Sequence, residues 1–65
     1  MDTKLTARER EVLKLAGLGL SNQEIGDRLG MSLQTTKNHM CSINGKLATK
    51  KRQIAFAEAM SRKVL

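Results

Sequence analysis

With 65 residues, the chain is sized for one small all-α domain whose core is too small to enclose an active site. Its single cysteine, Cys41, excludes an internal disulfide, and with His39 as the only histidine it excludes a structural zinc cluster and fits a reduced cytosolic setting. Twelve Lys and Arg against six Asp and Glu give a net charge of +6, which favours a polyanionic partner, while one Phe and no Trp or Tyr argue against a membrane-surface helix and against base stacking on single strands, leaving duplex DNA.

No leader peptide is expected, because Asp2 and its polar neighbours precede no apolar run. No proline, repeat or alternating apolar pattern appears, so the chain reads as helix throughout. Thr6-Ala7-Arg8-Glu9 is a capping box that starts a first helix over 7–17. Val12, Leu13 and Ala16 give this helix an apolar face, Leu5 and Leu20 cover its ends, and Gly17 and Gly19 stop it. Ser21-Asn22-Gln23-Glu24 is a second capping box, followed by Ile25 and Leu29 and then by Gly30, which predicts a short helix over 22–29.

Ser32 is a third N-cap only two residues beyond Gly30, and it opens a helix over 33–47. Two helices joined by so short a glycine-containing turn have helix-turn-helix spacing, in which the second helix enters the major groove. The basic segment 48–51 leads to a fourth helix over 51–61 carrying Ile54, Ala55, Phe56, Ala59 and Met60, with Thr49 and Lys51 both open as its N-cap.

Helical spacing divides the third helix into two stripes. Thr36, Met40, Ile43 and Leu47 fall within about 60° of one another and should pack inward. On the opposite side lie Gln34, Lys37, Asn38, Cys41 and Gly45, a slim polar surface able to approach base edges. Lys donates to guanine O6 and N7, and Asn pairs with adenine N6 and N7, so Lys37 and Asn38 are the expected reading residues. Helix N-termini bind phosphate through their free amides, which implicates Ser21, Asn22 and Gln23 at one terminus and Gln34 and Thr35 at the next. Lys46, Lys50, Lys51 and Arg52 form a basic run suited to the DNA backbone.

Plainer readings stand beside these: a solvated surface lysine for Lys37, a small filler for Cys41, a packing residue at the helix flank for His39, and a soluble linker for the basic run. No carboxylate pair, nucleophile–base set or phosphate loop is present, so neither an enzyme, a cofactor nor a bound small molecule is expected.

The chain resembles the LuxR-type helix-turn-helix domain found at the C-terminus of bacterial quorum-sensing regulators and response regulators. The resemblance covers about residues 4–60 and rests on 5–13 (LTAREREVL), 19–25 (GLSNQEI), 29–32 (LGMS), Thr35, Lys37, His39, Ile43, Lys46, Leu47, Arg52 and Ala55. It implies a four-helix domain that binds double-stranded DNA at the nucleoid, commonly as a pair. It places Lys37, Asn38 and Cys41 on bases and Ser21, Asn22, Thr35 and Lys46 on the DNA backbone. On the fourth helix it puts Ala55, Phe56 and Ala59 in the core and leaves Ile54, Ala57 and Ser61 as the candidate dimer face.

Four positions depart from the family pattern. Gly26 stands where the family usually has Ala and Thr36 where it has Val, which implies looser packing between the second and third helices. Gly45 lies inside the third helix, where it favours fraying, and Lys51 replaces a small polar residue, weakening the fourth helix's cap. Two other functions fit the same elements: a sigma-factor region 4 that contacts RNA polymerase, and a protein-interaction module with incidental DNA affinity.

Overall fold

The structure, a computed structural model, describes residues 5–65; the N-terminal segment around Asp2 lies outside them. Four helices follow in order: α1 (Ala7–Gly17), α2 (Asn22–Leu29), α3 (Leu33–Leu47) and α4 (Arg52–Ser61). The first three coincide with the expected spans, because their boundaries are set by local hydrogen bonding. Thr6 Oγ1 accepts from the Glu9 amide at 3.1 Å while the Thr6 amide donates to Glu9 Oε1 at 2.9 Å, which closes the first capping box. Ser21 and Glu24 repeat the arrangement at α2, with distances of 2.8 and 3.2 Å. Ser32 Oγ accepts from the Thr35 amide at 3.1 Å and starts α3.

One helix end differs from expectation. α4 begins at Arg52, one residue later than expected, because Lys51 is extended and serves as an N-cap that makes no side-chain hydrogen bond. Thr49, the other candidate cap, instead donates from Oγ1 to Asn44 Oδ1 at 2.9 Å. α3 stops at Leu47 as expected, and its C-cap, Ala48, is in the left-handed region at φ 56° and ψ 42°, a conformation that a residue with a Cβ adopts at a cost.

α1 packs on each of the other helices, and α3 packs on α1, α2 and α4, so these two form the centre. The core takes Val12, Leu13 and Ala16 from α1, Ile25 from α2, Met40, Ile43 and Leu47 from α3, and Ala55 and Ala59 from α4, with Leu5 closing one end. Phe56 lies half-buried at the edge, over Gly17, where an added Cβ would come within 2.3 Å of its ring.

The α2–α3 contact is tighter than the sequence suggests. Gly26 is buried, and a Cβ there would lie 2.7 Å from the Met31 carbonyl oxygen and 3.0 Å from Thr36 Oγ1. The expected looseness is therefore not found: the missing methyl lets the turn close onto α2. Thr36 is fully buried, but its hydroxyl donates to the Ser32 carbonyl at 3.0 Å, so no polar atom is stranded.

Candidate nucleic-acid interface

The helix-turn-helix unit is α2, a turn through Gly30 (φ 70°) and Met31, and α3. Gly30 reverses the chain in a left-handed conformation that costs glycine nothing, and Ser32 restarts a helix at once. Thr36, Met40, Ile43 and Leu47 are buried, whereas Gln34, Lys37, Asn38, Cys41 and Gly45 are exposed. The two stripes read from helical spacing are thus separated by the fold, and His39 is half-buried between them. Within the outward stripe, Gln34 Nε2 donates to Asn38 Oδ1 at 3.0 Å.

α3 is fastened to α1 through a carboxylate whose wider role the sequence did not reveal. Glu9 is only 4% exposed, and beyond its capping bond it accepts from Lys46 Nζ at 2.7 Å and from Ser42 Oγ at 2.8 Å. Burial acts to raise the Glu9 pKa, but hydrogen bonds from Lys46, the Thr6 amide and Ser42, with the Lys46 charge, outweigh it and lower the pKa to about 2. Glu9 and Lys46 are 37 positions apart, a separation at which helical periodicity carries no information.

Residues expected on the DNA backbone divide by environment. Ser21, Gln23, Thr35 and Lys50 are exposed. Gln23 Nε2 donates to Asp27 Oδ1 at 3.4 Å, and Thr35 Oγ1 accepts from Ser32 Oγ at 2.9 Å. Asn22 is half-buried, and its Oδ1 accepts from the Arg52 guanidinium, which also donates to the Leu20 carbonyl at 2.6 Å. Arg52, read from the sequence as part of a basic run, instead ties the start of α4 to the α1–α2 loop. Lys46 is likewise engaged with Glu9. The basic run thus contains two residues whose charge serves the fold.

On α4, Ile54, Ala57 and Ser61 are exposed, and Ala55 and Ala59 are buried. Met60 is 56% exposed, an apolar surface residue whose sequence position indicates only helix propensity. Among the described residues no group of His, Cys, Asp and Glu is placed to hold a metal ion, and no helix is long and apolar enough to cross a membrane.

Residues 3–59 match the family described as bacterial regulatory proteins, luxR family. This chain belongs to that family. The match covers the first three helices and most of α4, and the luxR family is one of DNA-binding transcription regulators built on this helix-turn-helix. Among its relatives, the transcriptional regulatory protein LnrK of Bacillus subtilis (strain 168) is 48% identical over 48 residues, covering 74% of this chain and 22% of LnrK. The structure of the transcription factor GerE superposes with a TM-score of 0.87 at 31% identity, covering all of this chain and 96% of that one. The response regulator ChrA of a heme-sensing two-component system gives a TM-score of 0.92 at 32% identity over all of this chain and 32% of ChrA. The chain therefore spans about a quarter of the length of the curated relatives it matches.

Proposed function

We propose that this domain binds double-stranded DNA sequence-specifically, with α3 in the major groove, and thereby regulates transcription. The observation that carries the reading is the division of α3 into a buried apolar stripe and an exposed stripe of Gln34, Lys37, Asn38, Cys41 and Gly45. Short side chains at Cys41 and Gly45 let the helix approach base edges, and Lys37, Asn38 and Gln34 supply the hydrogen-bonding groups. Ser21, Gln23, Thr35 and Lys50, all exposed, contact the backbone, joined by Asn22 through its amino group and by Lys46 through N–H groups not given to Glu9. The net charge of +6 supplies long-range attraction.

On this reading residues 1–65 act as one DNA-binding module in the bacterial cytoplasm, at the nucleoid and beside RNA polymerase. Two copies pair through Ile54, Ala57 and Ser61 of α4, supported by the 52% exposure of Ile54 on a helix whose other side is core. Sedimentation with and without a two-half-site duplex tests the pairing.

The central test is a salt titration on duplex DNA. Phosphate contacts weaken binding linearly in log salt, with a slope of about −0.9 per contact, and a specific site is bound at least roughly a thousandfold more tightly than random duplex. Binding that ignores salt, or that is equal on every duplex, contradicts the reading and favours a protein-interaction module.

A further inference from the structure

Gln34 and Asn38 stand one turn apart on the exposed side of α3, with Gln34 Nε2 donating to Asn38 Oδ1 at 3.0 Å. A carboxamide has one accepting end and one donating end, so the end of Asn38 that turns to its surroundings is its amino group. The adjacent Lys37 is also exposed and carries only donors. Two neighbouring side chains that donate are matched by a base edge that accepts. In the major groove guanine shows two acceptors, N7 and O6, whereas adenine shows an acceptor at N7 and a donor at N6.

An asparagine that reads adenine needs both of its ends, Nδ2 for N7 and Oδ1 for N6, and here one of the two lone pairs of Oδ1 is taken by Gln34 and the bond holds Oδ1 turned along α3 towards Gln34. We infer that Gln34 sets the hydrogen-bond polarity of Asn38, so that the Lys37–Asn38 step selects guanine where an unsupported asparagine would select adenine. The inference rests on the reading of α3 as the groove helix. It adds the base edge that is recognised and makes Gln34 a positioning residue, acting through Asn38.

Selection of bound sequences from a random duplex pool tests this with the chain in three forms: unchanged, Asn38→Ala and Gln34→Glu. The base pair whose preference disappears with Asn38→Ala is the one Asn38 reads. At that pair the unchanged chain is expected to favour guanine over adenine by roughly fivefold or more. A glutamate at position 34 only accepts, so Asn38 turns its amino group towards it and shows Oδ1 instead. Preference at the same pair then moves to a base with an exocyclic amino donor, adenine or cytosine. The substitution lies in the first turn of α3, where a carboxylate favours the helix, and circular dichroism verifies that the fold is kept.

Because the readout is base preference, a uniform loss of affinity from the added negative charge does not imitate the result. Any base other than guanine at that pair, guanine unaffected by Gln34→Glu, or no pair dependent on Asn38 overturns the inference while leaving a selective groove helix standing. A pool in which no sequence is enriched overturns the groove reading and the inference together.

Discussion

The Glu9 carboxylate and the Lys46 ammonium, 2.7 Å apart, join the first turn of α1 to the last turn of α3. Glu9 also completes the capping box of α1 and accepts from Ser42, so one buried group both starts a helix and holds the helix assigned to the groove. Its ionisation is therefore linked to folding. The folded pKa of about 2 lies below the ordinary 4.5, so the stabilisation is fully present above about pH 4.5 and is lost as pH falls towards 2. A depression of this size corresponds to on the order of 3 kcal/mol. Urea unfolding between pH 2 and 7 should show this acid loss in the unchanged chain and a much flatter profile in Glu9→Gln. Identical profiles would remove Glu9 from this role.

Gly26 and Gly45 both lie inside helices, yet replacing each with alanine should have opposite effects. At Gly45 nothing lies within 4 Å of an added Cβ, so alanine brings only its better helix propensity and stabilises by about 0.5–1 kcal/mol. At Gly26 the Cβ would meet the Met31 carbonyl at 2.7 Å, and backbone of the turn has to move. Overpacking of this kind costs about 1–3 kcal/mol, which exceeds the propensity gain. Thermal or urea unfolding of the two variants tests the difference in sign, and stabilisation by Gly26→Ala would mean that the turn yields more readily than its contacts imply.

Much of this fold is written locally. Thr6, Ser21 and Ser32 each place a side-chain acceptor at a helix start, and Glu9 and Glu24 reciprocate at the first two, so three of the four helix starts follow from short-range chemistry. The inward stripe of α3 follows equally from periodicity, since Thr36, Met40, Ile43 and Leu47 share one side of any helix over 33–47. Tertiary pairing of charges did not follow. Lys46, Lys50, Lys51 and Arg52 look alike as a basic run, and only the packed structure assigns Lys46 to Glu9 and Arg52 to Asn22 and Leu20. Ala48 is another such case: its left-handed conformation is imposed by the chain reversal after α3, with no glycine to announce it.

Arg52 is expected to behave as a structural residue. Its guanidinium donates from separate nitrogens to the Leu20 carbonyl and the Asn22 side chain, a fork that a lysine ammonium does not reproduce. Arg52→Lys keeps the charge and should still lower stability, by about 1–2 kcal/mol. The comparison to make is urea unfolding of Arg52→Lys against Lys50→Ala. The first is expected to shift the midpoint and the second, on an exposed side chain, to leave it within about 0.5 kcal/mol. Equal midpoints would return Arg52 to the basic run as a simple surface cation.

Lys37 and Lys50 are both exposed lysines, and they separate reading from gripping. Lys37 lies on the slim stripe of α3 and on the groove reading meets a base edge, so Lys37→Ala should lose about 1–3 kcal/mol on a specific site and much less on random duplex. Lys50 lies beyond the end of α3, and on the same reading it meets a backbone phosphate. Lys50→Ala should weaken binding equally on all sequences and make the salt slope shallower by about 1, the counterion release of one contact. Lys46→Ala differs from both, because Glu9 holds that ammonium in the free domain and its removal also lowers stability. Fluorescence anisotropy on matched and random duplexes at several salt concentrations distinguishes the three. A loss for Lys37→Ala that is the same on both duplexes would put Lys37 on the phosphates and remove it from the bases.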